Sequence, residues 1–254
     1  MRELIDTINV PESIARILVA RGIRTFEQAK DFFRPSLDRL NDPFLMDDMS
    51  RAVDRIQQAI QNGERITIYG DYDVDGTTST AMLALFFESM GVQVAYHIPD
   101  RFTEGYGLSV AGLDRLFAVV GGPPSLILTI DCGITSIDAV AYARSSGADI
   151  IICDHHEPMR SGGKPQLPEA YAILNPIKGS CSYPYKHLCG CGVGFKLIQA
   201  ISNRFELGDR AYDFLDFVAL ASSADIVSLQ GENRILTYFG LKRINETPHP
   251  HKCL

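Results

Sequence analysis

The feature of this sequence that most constrains its fold is the alternation of short apolar runs with helical segments after residue 50. The runs at 65–69, 93–98, 125–130, 149–153 and 171–174 are short and largely apolar, and segments with helical patterns separate the first four. Strands that alternate with helices of ten to fifteen residues indicate right-handed βαβ units. Short, nearly continuous apolar strands are typical of a sheet buried on both faces. The sequence therefore predicts an α/β fold with a mostly parallel sheet and helices on both faces.

Helical patterns also flank this alternating region. The segments 10–20 and 26–33 predict helices, and we interpret residues 1–48 as a helical N-terminal lead-in. The pattern after residue 190 is again helical. We expect one domain over residues 49–246, followed by an unstructured tail at 247–254 that has no domain-forming pattern.

Composition narrows the class of protein. Of 254 residues, 46% are hydrophobic and 22% are charged, which is ordinary for a globular protein. No apolar run approaches the roughly 18 residues that cross a bilayer, and the N-terminus lacks a signal-peptide pattern. Six scattered cysteines suit reduced thiols better than a disulfide framework. We predict a cytoplasmic protein without membrane association, in which a net charge of −7 still allows a local basic groove.

Acidic residues follow three of the predicted strands. Asp71, Asp131 and Asp154 each stand at the carboxyl end of an apolar run, and His155 and His156 come next in the chain. Ligands of open α/β sheets bind at this rim, so we expect the side chains to share one crevice. Three converging carboxylates require a compensating cation. Carboxylate and imidazole ligands suit manganese or magnesium better than a thiolate zinc site.

Parts of this pattern allow other interpretations when taken alone. The run 71–76 begins like a calcium-binding EF-hand loop, but Met82 stands where that loop needs glutamate, and a strand precedes it. The run 73–77 also resembles the nucleophile motif of haloacid-dehalogenase-type phosphatases, which leaves Asp131 and 154–156 unexplained. Aspartates at strand ends also cap helices or form turns. That explanation suits one such aspartate better than several at one rim.

Four ordered motifs resemble those of the DHH phosphoesterase superfamily. They are Asp71–Ser79, Asp131–Gly133, Asp154–His156 and Ala224–Asp225. Other segments are similar to one branch, the RecJ single-strand-specific DNA exonucleases: Ala20–Thr25, Ile98–Arg101, Glu104–Gly107, Leu188–Lys196 and Ala224–Arg234. The resemblance covers nearly the whole chain.

The resemblance implies a site for two Mn²⁺ or Mg²⁺ ions. Asp131 would bridge the ions. Asp71 and Asp73 would supply ligands from the first strand end, and His155 and Asp225 would complete the coordination of the second ion.

Further roles follow from the same resemblance. Asp75 and Asp154 would orient the ligands or accept imidazole N–H bonds. His156 would face the scissile phosphate, where it stabilises charge or acts as an acid. Arg101 and Tyr106 would hold the nucleic-acid strand, since arginine pairs with phosphate and tyrosine stacks on an unpaired base.

The implied activity is 5′-to-3′ hydrolysis of single-stranded DNA by an activated water, with release of 5′-mononucleotides, in DNA repair and recombination. The expected partner is single-stranded DNA, with other repair proteins as further candidates, and a monomer is favoured. RecJ-type proteins normally carry a DHH-associated domain and an oligonucleotide-binding domain. Neither fits after Asn245, so we expect a truncated catalytic core.

Two other functions stay open. The chain could be a DHH phosphodiesterase or pyrophosphatase acting on small substrates, although those relatives usually place a histidine shortly before the first aspartates, where this chain has Gly70. A non-enzymatic DNA-binding scaffold would be expected to have lost metal ligands, whereas this chain retains them.

Two features near residue 190 each allow two interpretations. Three cysteines and a histidine could bind zinc, although packed thiols suit their spacing better: Cys181, His187, Cys189 and Cys191. Three alternating glycines could admit a phosphate or allow close packing: Gly190, Gly192 and Gly194.

Overall fold

Five parallel strands form the central sheet of the computed structural model, which describes residues 2–179 and 181–246, except for the side chains of residues 2 and 3. The strands of the fold are β1 (Ile66–Tyr69), β2 (Ala95–His97), β3 (Leu126–Ile130), β4 (Asp149–Cys153), β5 (Met159–Ser161), β6 (Lys164–Gln166) and β7 (Ala172–Leu174). In spatial order the central sheet runs β2–β1–β3–β4–β7, and every neighbouring pair is parallel. A separate antiparallel hairpin consists of β5 and β6.

Helices precede, connect and follow these strands. They are α1 (Arg2–Ile8), α2 (Glu12–Ala20), α3 (Phe26–Phe33), α4 (Met49–Gln61), α5 (Val74–Ser89), α6 (Val110–Val120), α7 (Ile137–Ser145), α8 (Gly190–Arg204), α9 (Leu215–Ala224) and α10 (Gly231–Glu246). Short 3₁₀ helices span Leu37–Arg39, Pro43–Leu45 and Gly208–Phe214. None of the helices within the described ranges has the length and apolar character needed to cross a bilayer.

The central strands are buried on both faces, as their apolar composition predicts. Alternate residues of β3 belong to two different cores: Leu126 and Leu128 pack with α4, α5 and α8, whereas Ile127 packs with α6 and α7. This alternation follows from the two-residue repeat of a strand. The prediction of an α/β fold with helices on both faces of a mostly parallel sheet is confirmed.

The N-terminal lead-in has a small hydrophobic cluster of its own. Leu4, Leu18, Ile23 and Ala29 are buried together. The helix α3 begins where expected, because the side chain of its N-cap residue, Thr25, accepts the Gln28 N–H at 3.2 Å in a capping box. The proposed boundary at residue 48 stays a prediction, and the predicted tail at 247–254 lies outside the described residues.

Two local features differ from what the sequence pattern predicts. The pattern predicts a helix from about Ser79 to Met90, but α5 begins at Val74, five residues earlier, because Asp73 caps it by accepting the Gly76 N–H at 2.9 Å. Hydroxyl groups in the first turns bond back to carbonyl oxygens of the same helix, as Thr80 does with Gly76 at 2.8 Å. The hairpin of β5 and β6, joined by a Gly-Gly pair, was not predicted.

Candidate metal centre

The chain crosses from one half of the sheet to the other between β1 and β3. The connection from β1 leads to β2 on one side, and the next connection leads to β3 on the opposite side. A crevice opens outside the carboxyl ends of the strands at such a switch point. Asp71 follows β1, Asp131 follows β3, and Asp154 follows β4. The topology therefore places these aspartates along the rim that the sequence indicated.

Three carboxylates surround one imidazole nitrogen. His155 Nε2 lies 3.2 Å from Asp131 Oδ1, 3.8 Å from Asp225 Oδ2 and 3.9 Å from Asp75 Oδ2. The residues come from four separate places in the fold: the ends of β3, β4 and α9 and the first turn of α5. The folded chain thus brings together groups that are as much as 150 residues apart in sequence (225 − 75 = 150).

Asp131 is strongly perturbed by its surroundings. Its backbone is in the left-handed region with φ 62°, where non-glycine residues are uncommon and usually strained. The side chain is buried, and Oδ1 accepts no hydrogen bond although His155 lies close by. Burial, followed by the charges of Asp75 and Asp73, raises the pKa of Asp131 to about 10. A carboxylate that is buried among like charges stays ionised near neutral pH only beside a positive partner.

The donor atoms around Asp131 fit divalent cations. Two groups of three have ligand atoms within 4.8 Å of one another, and both contain His155: the first adds Asp131 and His156, the second Asp75 and Asp225. Oxygen and imidazole donors without thiolates match the preferences of Mn²⁺ and related ions. The orphaned Oδ1 of Asp131 lies within the first group, so a bound cation would satisfy the one buried oxygen there that the protein leaves unpaired.

Asp75 also binds the start of α8. Its two carboxylate oxygens accept the Gly190 N–H at 2.6 Å and the Cys191 N–H at 2.8 Å. Burial raises the pKa of Asp75, while these amides and His155 act in the opposite direction. Glycine is required at 190 because a Cβ there would lie 2.5 Å from Asp131 Oδ1. Asp75 therefore belongs to the cluster and also joins α5 to α8.

Asp154 positions the neighbouring histidine and the loop after β3. Its Oδ1 lies 2.8 Å from His156 Nδ1, and its Oδ2 accepts the Ile134 N–H at 2.9 Å. The hydrogen bond to Asp154 raises the pKa of His156. Burial raises the pKa of Asp154, but its bond to His156 and its backbone bonds outweigh burial and lower it overall. Asp154 thus fixes Nδ1 of His156 and leaves the Nε2 side of the ring available.

The aspartates of the first strand end lie beside the cluster and outside both groups of three. Asp71 is half-buried, and its Oδ1 accepts the Tyr72 N–H at 2.8 Å. Asp73 is exposed and caps α5. The charge of Asp73 nevertheless contributes to the raised pKa of Asp131, which shows that Asp73 lies close to it. Their predicted ligand roles stay predictions.

A cationic and aromatic patch adjoins Asp71. Arg101 Nη2 donates to Tyr106 Oη at 2.9 Å, and its guanidinium lies 5.2 Å from the Tyr72 ring centre. The Tyr72 and Tyr106 rings meet edge to face at 5.4 Å. Phe102 is 89% exposed and lies 5.6 Å from the same guanidinium. Arg101 and Tyr106 were predicted from the sequence to bind the strand, whereas Tyr72 and Phe102 were not, although both stand directly beside predicted site residues.

Glu104 holds the loop that carries this patch. Its side chain is buried, lies 2.6 Å from His97 Nε2, and accepts the Asp100 N–H at 3.2 Å. Arg115 pairs with it at 3.2 Å. The loop is therefore anchored to β2 and α6. In the sequence, Glu104 stood out only as the first residue of the RecJ-like segment Glu104–Gly107, and no role was predicted for it.

The cysteines and glycines near residue 190 are packing residues. Cys181, Cys189 and Cys191 are buried, and neither group of candidate metal ligands among the described residues contains a thiol. The Gly190 N–H is already bound to Asp75, and a Cβ at Gly194 would lie 3.0 Å from Ile130. The close-packing interpretation of the glycines therefore fits better than a phosphate site.

The fold and the site together define an α/β domain that can hold divalent cations at the switch point of its sheet. Residues 65–222 match the model of the DHH family, N-terminal domain, and the chain belongs to the DHH family. The resemblance to RecJ exonucleases is also confirmed by individual relatives.

Relatives named single-stranded-DNA-specific exonuclease RecJ match almost the whole chain. The Bacillus subtilis protein is 39% identical over 251 residues, 97% of this chain and 30% of its own length. The Escherichia coli protein is 35% identical over 260 residues, 96% of this chain and 43% of its own length. The chain thus spans less than half the length of these relatives.

Solved structures of RecJ exonucleases also resemble this chain. RecJ from Thermus thermophilus in complex with Mn²⁺ superimposes with a TM-score of 0.76 at 28% identity, over 96% of this chain and 33% of that one. An exonuclease RecJ bound to manganese superimposes with a TM-score of 0.68 at 31% identity, over 78% of this chain and 48% of that one.

Proposed function

We propose that this domain is the catalytic part of a metal-dependent exonuclease that degrades single-stranded DNA from its 5′ end and releases 5′-mononucleotides. The observation that carries the proposal is the buried, unpaired Oδ1 of Asp131 at the centre of a cluster of carboxylates and imidazoles. Such a cluster without a metal is electrostatically unfavourable. The names of the RecJ relatives supply the substrate. We further propose that the activity serves DNA repair and recombination.

The residues around His155 would hold two divalent ions, Mn²⁺ or Mg²⁺. Asp131, Asp225 and Asp75 would hold the ions together with His155, because their oxygens lie within 3.9 Å of its Nε2. For Asp75 this is a ligand role in addition to the orienting role expected from the sequence. Asp71 and Asp73 would complete the coordination from the β1 end. When bound, such ions lower the pKa of a water nucleophile and neutralise charge on the phosphate.

His156 would act on the scissile phosphate. Because Asp154 holds Nδ1 at 2.8 Å, the ring presents its Nε2 edge in one orientation. In that position the imidazole stabilises the phosphate charge or gives a proton to the leaving oxygen. Asp154 itself contacts the histidine and the Ile134 amide, and we assign it a positioning role.

The patch of Tyr72, Arg101, Phe102 and Tyr106 would bind the strand. Exposed aromatic rings stack on unpaired bases, and arginine pairs with backbone phosphate. Bases inside a duplex are already stacked and present no free face to these rings. The patch therefore supports a preference for single strands.

The test is digestion of 5′-labelled single-stranded DNA with Mn²⁺ by the wild type and by Asp131→Ala. We expect release of labelled mononucleotide to fall at least about 1,000-fold, because several kcal/mol of transition-state stabilisation depend on the metal. Asp138→Ala is the matched control, since Asp138 is an exposed aspartate in α7 outside both ligand groups.

Three outcomes would contradict parts of the proposal. Mononucleotide release that survives Asp131→Ala would exclude the metal assignment. Cleavage of duplex but not of single-stranded DNA would exclude the strand preference. Rapid pyrophosphate hydrolysis without activity on DNA would favour the small-substrate alternative.

A further inference from the structure

A cavity of about 480 Å³ lies between the N-terminal lead-in and the start of α10. Its volume falls within the range of roughly 300–1,000 Å³ that small-molecule pockets occupy. None of its lining residues belongs to the two groups of candidate metal ligands. The cavity is therefore separate from the metal centre.

Arg234 supplies a half-buried positive charge to this cavity. Its guanidinium lies 4.0 Å from the centre of the Phe32 ring, and its Nε donates to the Phe32 carbonyl at 3.0 Å. No ion pair joins Arg234 to a carboxylate within the part of the chain that the structure describes, whereas Arg55 and Arg204 each pair with an acidic side chain. Phe32 thus holds the guanidinium in place while its remaining N–H groups keep their capacity to bind an anion.

The acidic groups of the cavity wall are already paired. Glu232 binds Lys196 at 2.8 Å and accepts the Tyr183 hydroxyl at 2.6 Å, and Asp31 pairs with Arg39. Arg21, a second arginine in the wall, is exposed. The uncompensated charge in the wall is therefore positive, and a planar guanidinium is well suited to bidentate contacts with phosphate.

The rest of the lining is suited to a flat, largely apolar ring. Ile23, Pro35, Pro184, Tyr185 and Ile235 all contribute to the wall. Tyr185 is fixed in place, because its hydroxyl donates to the Ser228 carbonyl at 3.1 Å or to that of Gln230 at 2.8 Å. A ligand with a phosphate at one end and a ring at the other matches both halves of the cavity.

We propose that this cavity is a second nucleotide-binding site, with the phosphate at Arg234 and Arg21 and the base against Tyr185. The choice of a nucleotide rests on the proposed nuclease function, which supplies two sources of this chemistry. One is a free 5′-mononucleotide, the reaction product; the other is a nucleotide within the bound strand. The segment that Tyr185 holds, residues 228–230, follows Asp225 of the metal centre, so the two sites share one stretch of chain.

The test is calorimetric titration of the full chain with deoxyadenosine 5′-monophosphate and with a short oligodeoxyadenylate, in the presence of a metal chelator. Arg234→Gln should weaken binding about 10-fold or more, the cost of losing a charge-assisted contact. Arg204→Gln is the control, because it removes the same charge from an arginine paired with Asp54 outside the cavity. Its affinity should equal that of the wild type.

Arg21→Gln covers the case in which Arg234→Gln fails to fold, because Arg21 is exposed and the hydrogen bonds it makes within the described residues involve only its backbone atoms. It should weaken binding by about 3-fold or more at an unchanged melting temperature. Weakened mononucleotide binding would assign the site to the product. An effect confined to the oligonucleotide would assign it to the strand. Both results support the proposal.

Binding of both probes that is unchanged in Arg234→Gln and Arg21→Gln would overturn the proposal. So would mononucleotide binding that disappears in Arg101→Gln alone, since that result places the nucleotide in the catalytic crevice. The titration does not depend on hydrolysis, so a failure of the nuclease proposal, seen as absent Mn²⁺-dependent digestion, remains distinguishable.

Discussion

Two buried charged clusters lie in this fold, and they are built in opposite ways. In one, Lys196 and Glu232 are almost fully buried and pair at 2.8 Å, with further bonds from Tyr183 and Asn41. In the other, three carboxylates surround His155, and Asp131 Oδ1 accepts no hydrogen bond. Buried charges are costly unless they are paired. The first cluster is therefore complete as folded, whereas the second needs a positive charge that the surrounding side chains do not supply.

The largest change in stability is expected at the complete cluster. Lys196→Met leaves Glu232 buried without its counter-ion, and we expect the free energy of unfolding to fall by about 3–5 kcal/mol. Urea unfolding measures this change. Arg204→Gln, which breaks an exposed pair with Asp54, should cost less than about 1 kcal/mol. A similarly small loss in Lys196→Met would show that the buried pair does not hold α8 and α10 together.

The incomplete cluster should respond in the opposite direction. Without divalent ions, Asp131→Asn should be as stable as the wild type or more stable, because burial and the neighbouring carboxylates make the ionised form of Asp131 costly and asparagine has no charge to bury. Mn²⁺ at about 100 times its dissociation constant should stabilise the wild type by about 2.7 kcal/mol and leave the variant unchanged. Thermal unfolding with and without Mn²⁺ measures both effects, and Asp138→Asn should behave like the wild type. Equal stabilisation of Asp131→Asn would remove Asp131 from the metal site.

Asp154 lies at the edge of the incomplete cluster but has all its bonds made. Asp154→Asn loses an acceptor for the Ile134 N–H or for His156, so the imidazole should lose its fixed orientation. We expect kcat on single-stranded DNA to fall about 10- to 100-fold, as with other groups that orient metal-site residues. KM should change little, because the Arg101 patch is intact. Glu157→Gln, at an exposed acidic residue nearby, is the control, and a raised KM with normal kcat would contradict the positioning role.

The rim of the sheet was predictable because its causes are local. Short apolar strands alternate with helices, and parallel strands end at the same edge, so Asp71, Asp131 and Asp154 had to lie along one rim. The contacts within that rim were not predictable in the same way. Asp75 binds amides of Gly190 and Cys191, 115 and 116 residues away, and only the packing of α5 against α8 brings them together.

The local errors also have physical causes. The polar and β-branched start of α5 lowers helix propensity, and the Asp73 cap that compensates for it was interpreted only as a ligand. The hairpin was not predicted because every residue of its two strands is exposed. Its sequence therefore shows no alternation of apolar and polar residues on either side of the Gly-Gly turn.

The ion pair of Asp48 with Lys178 is only partly buried, and its loss should have the smallest effect on stability. Lys178 is buried, and its Nζ lies 2.6 Å from Asp48 Oδ2, whereas Asp48 is about one-third exposed. Burial raises the pKa of Asp48, but the hydrogen bond and charge of Lys178 outweigh burial and lower it overall. A lowered pKa in the folded state stabilises the protein above the unfolded value near 3.9 and is lost as pH falls through the folded value. Because solvent screens this partly exposed group, the contribution should be under about 1 kcal/mol. The difference in free energy of unfolding between wild type and Asp48→Asn, measured by urea unfolding between about pH 6 and 3, should therefore narrow on acidification. A difference that does not change with pH would show that packing rather than charge maintains this contact.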